Sequence, residues 1–137
     1  MEYELISQKL CMTKDIGMHG NLFGGLMLAW ADEAGAIFAS QVCGTQNIVT
    51  VHISEVDFKK PVKTGNLIKI FGKVEKMGTT SITIDLIATR HDPTSMDNVD
   101  ADNRQTPRIL LNEVCRMKMV FVCIDDDGKP TAIPSKK

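Results

Sequence analysis

An excess of charge of either sign is missing from this 137-residue chain, in which 16 basic residues meet 17 acidic ones for a formal charge of -1. That balance excludes a global pull toward nucleic acid or an anionic membrane surface. A long hydrophobic run is missing too, since the longest apolar stretch is broken by Asp32 and Glu33, well short of a bilayer span. The segment MEYELISQKL has neither a basic start nor a continuous apolar core, so no secretory signal is read there and the cytoplasm is the expected compartment. Cysteine is scattered: Cys11, Cys43, Cys115 and Cys123 form no C-x-x-C pair and no Cys/His cluster. That leaves no metal site at usable spacing and points to reduced thiols packed as small apolar groups. His19, His52 and His91 are spaced for neither a metal nor a shared general base, and a satisfied polar role is expected for each. Asp125-Asp126-Asp127-Gly128 lacks the alternating oxygen ligands and distal Glu of an EF-hand loop, so it reads as a polar turn.

What remains has the length and balance of one soluble domain over residues 1–137, with 43% hydrophobic and 24% charged residues. Gly24 to Val42 is rich in Leu, Met and Ala, has no proline and is apolar almost all round, which predicts one long, largely covered helix. From Asn47 onward the period changes to two. In 66–76 Ile68, Ile70 and Val74 alternate with Lys69, Lys73 and Glu75, and Ile82, Ile84, Leu86 and Ala88 repeat the pattern, so the two runs predict an antiparallel hairpin turning near Gly78. Ile48–Phe58, Arg108–Ile124 and a first strand near Tyr3–Met12 complete an α+β pattern, and 92–107 reads as a long loop. A sheet of this size covers one side of such a helix, so self-association is expected to cover the rest.

Asp32 stands out because an ionised carboxylate in an apolar helix is costly unless paired. Its neighbours on the same face, Leu28, Ala29, Gly35 and Ala36, leave room for a ligand, and partial desolvation suits a general base. The alternative is a carboxylate that caps or pairs within a subunit seam. Upstream lies His19-Gly20-Asn21-Leu22-Phe23-Gly24-Gly25. Glycines at a helix start permit unusual backbone angles and let a group reach the first-turn N–H donors, which suit a carbonyl gaining negative charge. Equally, such glycines can merely turn a corner.

Gly20-Asn21-Leu22-Phe23-Gly24-Gly25 followed by Trp30-Ala31-Asp32-Glu33-Ala34-Gly35-Ala36-Ile37 resembles the active-site loop and central helix of hotdog-fold acyl-CoA thioesterases, in the branch of the YciA enzymes and the cytosolic acyl-CoA hydrolases. Val56 to Gly65, Lys76 to Ser81 and Gly128-Lys129-Pro130 resemble later parts of the same pattern. The resemblance implies a five- to six-stranded antiparallel sheet wrapped around the helix, and hydrolysis of an acyl-CoA to a fatty acid and CoA. It makes Asp32 the general base or nucleophile, Asn21 a catalytic loop residue, and Gly24 and Gly25 the place where a backbone N–H polarises the thioester. Gly78, Thr79, Thr80 and Ser81, with Lys59 and Lys60, would meet CoA. No cofactor is implied beyond the coenzyme A carried by the substrate. The implied assembly is a dimer, grouped as a trimer of dimers, with Asn21 and Asp32 of one site drawn from different subunits. A binding protein for acyl-CoA or nucleotides on the same scaffold is the alternative, and a hydratase is disfavoured because His19 is the one nearby histidine.

Overall fold

The computed structural model describes residues 2–91 and 112–134. Five antiparallel strands and one long helix follow in the order β1 (Glu4–Leu10), α1 (Gly24–Cys43), β2 (Ile48–Phe58), β3 (Leu67–Met77), β4 (Ser81–His91) and β5 (Glu113–Cys123), with a 3-10 turn at Thr13–Asp15. In space the strands lie β1-β3-β4-β5-β2, and α1 touches all five. This is the hotdog arrangement, with five strands. The loop expected at 92–107 lies outside the described residues.

Strand alternation builds the core. Ile82, Ile84, Leu86 and Ala88 of β4 stand opposite Phe121, Met119, Met117 and Cys115 of β5. All eight are buried under the helix, as period-two patterning requires. The helix meets them with Met27, Ala31, Ala34, Gly35, Phe38 and Ala39. A Cβ on Gly35 would sit 3.0 Å from the Phe121 ring and 3.1 Å from the Met119 sulfur, so the missing side chain lets helix and sheet approach closely. Past Cys43 the helix stops where Gly44 turns into the left-handed region at φ 73 and its N–H returns to the Ser40 carbonyl.

Burial of the helix is one-sided. Ile37 is 41% exposed, and Ala29, Glu33 and Gln41 also face outward. β2 is an edge of the sheet and is exposed along nearly its whole length, including Val49, Val51, Ile53 and Phe58. Two register shifts break β2, one between Thr50 and His52 and one between Ser54 and Asp57, where Glu55 adopts φ 55. Thr50, Ile53 and Phe58 stand opposite Phe121, Met119 and Cys115, all on the helix side. Their odd separations could not share a face in an unbroken strand, so each bulge resets the alternation. No helix among the described residues is long and apolar enough to cross a membrane.

Candidate active site

Asp32 projects from the middle of α1 toward β2, half-buried, and its Oδ1 accepts a hydrogen bond of 2.7 Å from the Thr50 hydroxyl. The sequence predicts a partly desolvated carboxylate. In one chain it lies beside the edge strand β2. Its neighbour Glu33 pairs with Lys9 at 2.8 Å on the surface.

Gly24 and Gly25 open the helix, but neither adopts the left-handed conformation that motivated the glycine argument; that conformation belongs to Gly20, at φ 75. Their value is space. A Cβ at Gly25 would meet nothing within 4 Å, and one at Gly24 would meet only the Phe58 ring, at 3.5 Å. The first helical bond runs from Met27 N–H to the Phe23 carbonyl. The amides of Gly24, Gly25 and Leu26 therefore have no carbonyl one turn back, and no acidic side chain offsets the positive end of the helix dipole. Asn21 does not fold onto its own backbone: its Oδ1 accepts from the Lys63 ammonium.

Beside this helix start lies a cavity of about 370 Å³. Its buried walls include Met27, Val62, Val114 and Cys115, while half-buried Asn21 and exposed Gly24, Phe58, Lys59 and Lys60 form the rim. Burial, reinforced by the nearby Asp57 carboxylate, pushes the Cys115 thiol up to about 11, so at neutral pH it is an uncharged wall. Lys59 is not a freely available cation, because its ammonium is 2.7 Å from Glu113, a carboxylate 6% exposed.

Other expected residues are not gathered here. Gly78 N–H closes the hairpin on the Ser81 carbonyl, so it is not an open donor for phosphate. The Thr79 and Thr80 carbonyls accept from Ile133 and Cys123. Ser81 pairs with Val122, seven residues along β5 from Cys115, which puts the hairpin roughly 23 Å from the cavity in the same chain. Asp32 is separated from Gly24 by eight residues of helix, roughly 12 Å. Within one chain, the carboxylate and the helix-start amides do not face a common point. Thr50 is the neighbour of Asp32 that the sequence reading missed; its one local signal is a hydroxyl between Val49 and Val51. Among the described residues no group of His, Cys, Asp and Glu could hold a metal.

Residues 19–96 match the model of the thioesterase superfamily, more than half of the chain. The chain belongs to that superfamily. It is similar to the acyl-CoA thioester hydrolase YciA of Salmonella typhimurium, with 28% identity over 131 residues, 96% of this chain and 90% of that one. The hexameric thioesterase y2039 of Yersinia pestis superposes with a TM-score of 0.80 at 27% identity, covering 96% of each chain. The acyl-CoA hydrolase of Staphylococcus aureus, solved as an aspartate-to-alanine and as a threonine-to-alanine variant, superposes at TM-scores of 0.73. It is 28% identical, with 96% of this chain and 71% of that one covered.

Proposed function

We propose that this thioesterase hydrolyses fatty acyl-CoA to a free fatty acid and CoA, with Asp32 as the group that activates or delivers the nucleophile. The observation that carries the reading is a half-buried carboxylate in an apolar helix, held in one orientation by Thr50, in a chain of thioesterase ancestry. Its carbonyl partner is the helix start. The unpaired amides of the first turn donate to the thioester oxygen as it gains charge. Either Asp32 takes a proton from water, whose oxygen bonds to the carbonyl carbon, or its carboxylate attacks directly and water then cleaves the mixed anhydride. In both routes the C–S bond breaks and the CoA sulfur leaves, to be protonated.

The separation of roughly 12 Å between Asp32 and Gly24 argues that one site is assembled from two chains. A dimer formed by pairing the exposed β2 edges sets two open helix flanks beside one another, so that the Asp32 of one chain can face the Asn21 loop and helix start of the other. A trimer of such dimers, suggested by the hexameric relative, lets the Gly78–Ser81 hairpin of a neighbouring subunit, together with Lys60, reach the CoA of a site to which its own chain does not bring it. The four buried, unpaired cysteines fit a reducing compartment such as the cytoplasm.

The test is release of free CoA thiol from acyl-CoAs of increasing chain length, comparing wild type with Asp32→Asn at matched folding. Turnover that collapses in the variant supports the reading. Binding of acyl-CoA by the wild type without any turnover refutes it in favour of a binding protein.

A further inference from the structure

We propose that Lys63 is a positioning residue for the hydrolysis, fixing which end of the Asn21 carboxamide is offered at the cavity mouth. The inference rests on the thioesterase reading and adds to it a device that sets up one donor beside the helix start.

The two side chains grow from one clamped piece of backbone. Leu22 N–H donates to the Val62 carbonyl at 2.8 Å, which ties the loop carrying Asn21 to the segment carrying Lys63. On the loop side, Gly17 N–H donates to the Asn21 carbonyl at 2.8 Å. On the other side Asn66, 8% exposed, accepts the Lys63 N–H on its Oδ1 at 2.8 Å and returns its own N–H to the Lys63 carbonyl at 3.1 Å. Cys11 N–H then holds the Asn66 carbonyl at 2.9 Å. The contact between Lys63 and Asn21 is thus held from both ends.

That contact has a direction. The Lys63 ammonium donates to the Asn21 Oδ1. A carboxamide has one accepting and one donating end of nearly the same shape, and an ammonium can only donate. Lys63 therefore admits one orientation, with the oxygen toward the lysine and Nδ2 away from it. Asn21 lines the cavity together with Gly24, so the Nδ2 hydrogens are what it has left to offer there, next to the unpaired amides of the first helical turn. Charge adds to geometry, because a cation on the amide oxygen polarises the group and strengthens its N–H donors. Lys9, Lys59 and Lys118 each pair with a glutamate, whereas Lys63 spends its charge on a neutral amide. A thioester oxygen gaining negative charge is the acceptor that such donors suit.

The experiment measures kcat and KM for wild type, Lys63→Met, Lys63→Arg, Asn21→Ala and the double variant, on a short-chain acyl-CoA and on the matching acyl-pantetheine, which keeps the thioester but lacks the nucleotide phosphates. Lys63→Met keeps the length of the stem and removes the donor; it is expected to lower kcat about tenfold on both substrates, with KM changed less than about twofold. Lys63→Arg, a donor of the same charge, recovers most of that loss. In the Asn21→Ala background Lys63→Met adds less than about twofold. A loss confined to the CoA ester and to KM gives Lys63 to the phosphates and overturns the proposal. So does a tenfold loss that persists without Asn21, and so does an acid limb of the kcat profile that moves upward by about one pH unit in Lys63→Met, which assigns the charge to the catalytic carboxylate. Each of these leaves the thioesterase reading standing, while a wild type that turns over neither substrate defeats both.

Discussion

The hydrogen bond from Thr50 to Asp32 offers the sharpest quantitative test of the site. Replacing Thr50 with Val keeps the shape of the side chain and removes one O–H donor, 2.7 Å from the carboxylate. Hydrogen bonds to charged groups contribute about 1.5–3 kcal/mol, and because Asp32 remains half open to solvent in the single chain the low end applies. At 1.36 kcal/mol per tenfold, Thr50→Val is expected to lower kcat about tenfold, with little change in folding. Thr50→Ser, which keeps the hydroxyl, should recover most of the loss. Asp32→Asn should cost about 10²–10⁴-fold, the usual contribution of a positioned base. The decisive quantity is the double variant. If Thr50 acts by orienting Asp32, the effects are strongly non-additive, and Thr50→Val adds less than about twofold once the carboxylate is gone. The assay is release of CoA thiol under saturating substrate, at enzyme concentrations high enough to read the residual rate. A tenfold loss in the Asp32→Asn background as well would refute the argument and assign Thr50 to substrate contact or to the fold.

Three further outcomes follow from other parts of the molecule. Burial raises the Cys115 thiol from its ordinary range near 9 to about 11, so the folded protein holds a proton that the unfolded chain releases; stability from this group is complete below about pH 9 and falls through pH 11 by up to about 1.4 kcal/mol per pH unit. Thermal melting between pH 8 and 11 should show that alkaline slope, and Cys115→Val should flatten it; an unchanged slope refutes the assignment. Gly35→Val forces a branched side chain against Phe121, Met119 and Leu86 and is expected to destabilise by about 2 kcal/mol in denaturant unfolding; a variant as stable as wild type would mean that the helix can lift from the sheet at little cost. Val51→Lys puts a charge on the exposed β2 edge, and light scattering should find a smaller species with reduced turnover; an intact assembly would rule out β2 as the pairing edge.

Much of the fold was legible because two simple periodicities carry it. The Ile82, Ile84, Leu86 and Ala88 series could only form one face of a strand, and the Ala-rich stretch from Gly24 could only be a covered helix. The expected hairpin at Gly78 and the strand limits at Ile48 and Phe58 agree with the structure. Thr50 was not legible for a physical reason: two bulges, one at a positive-φ Glu55, shift the alternation of β2, so counting by twos along the sequence cannot assign its faces. The half-burial of Asp32 agrees with the partial desolvation expected of a carboxylate in an apolar helix, whereas its Thr50 partner comes from a strand 18 residues away. The pairing of Lys59 with Glu113 depends on a contact between residues 54 positions apart, which no local pattern announces.

The distance along α1 between Asp32 and Gly24 also bears on how such a protein can change over generations. If each site draws its carboxylate from one chain and its amides from the other, every chain serves two sites at once, and a single substitution is felt twice per dimer. A tandem duplication that fused two copies would lift that symmetry. One half could then lose its aspartate and the other its loop, and a complete site would survive. The vacated second site would be free to acquire a regulatory ligand or decay into plain scaffold.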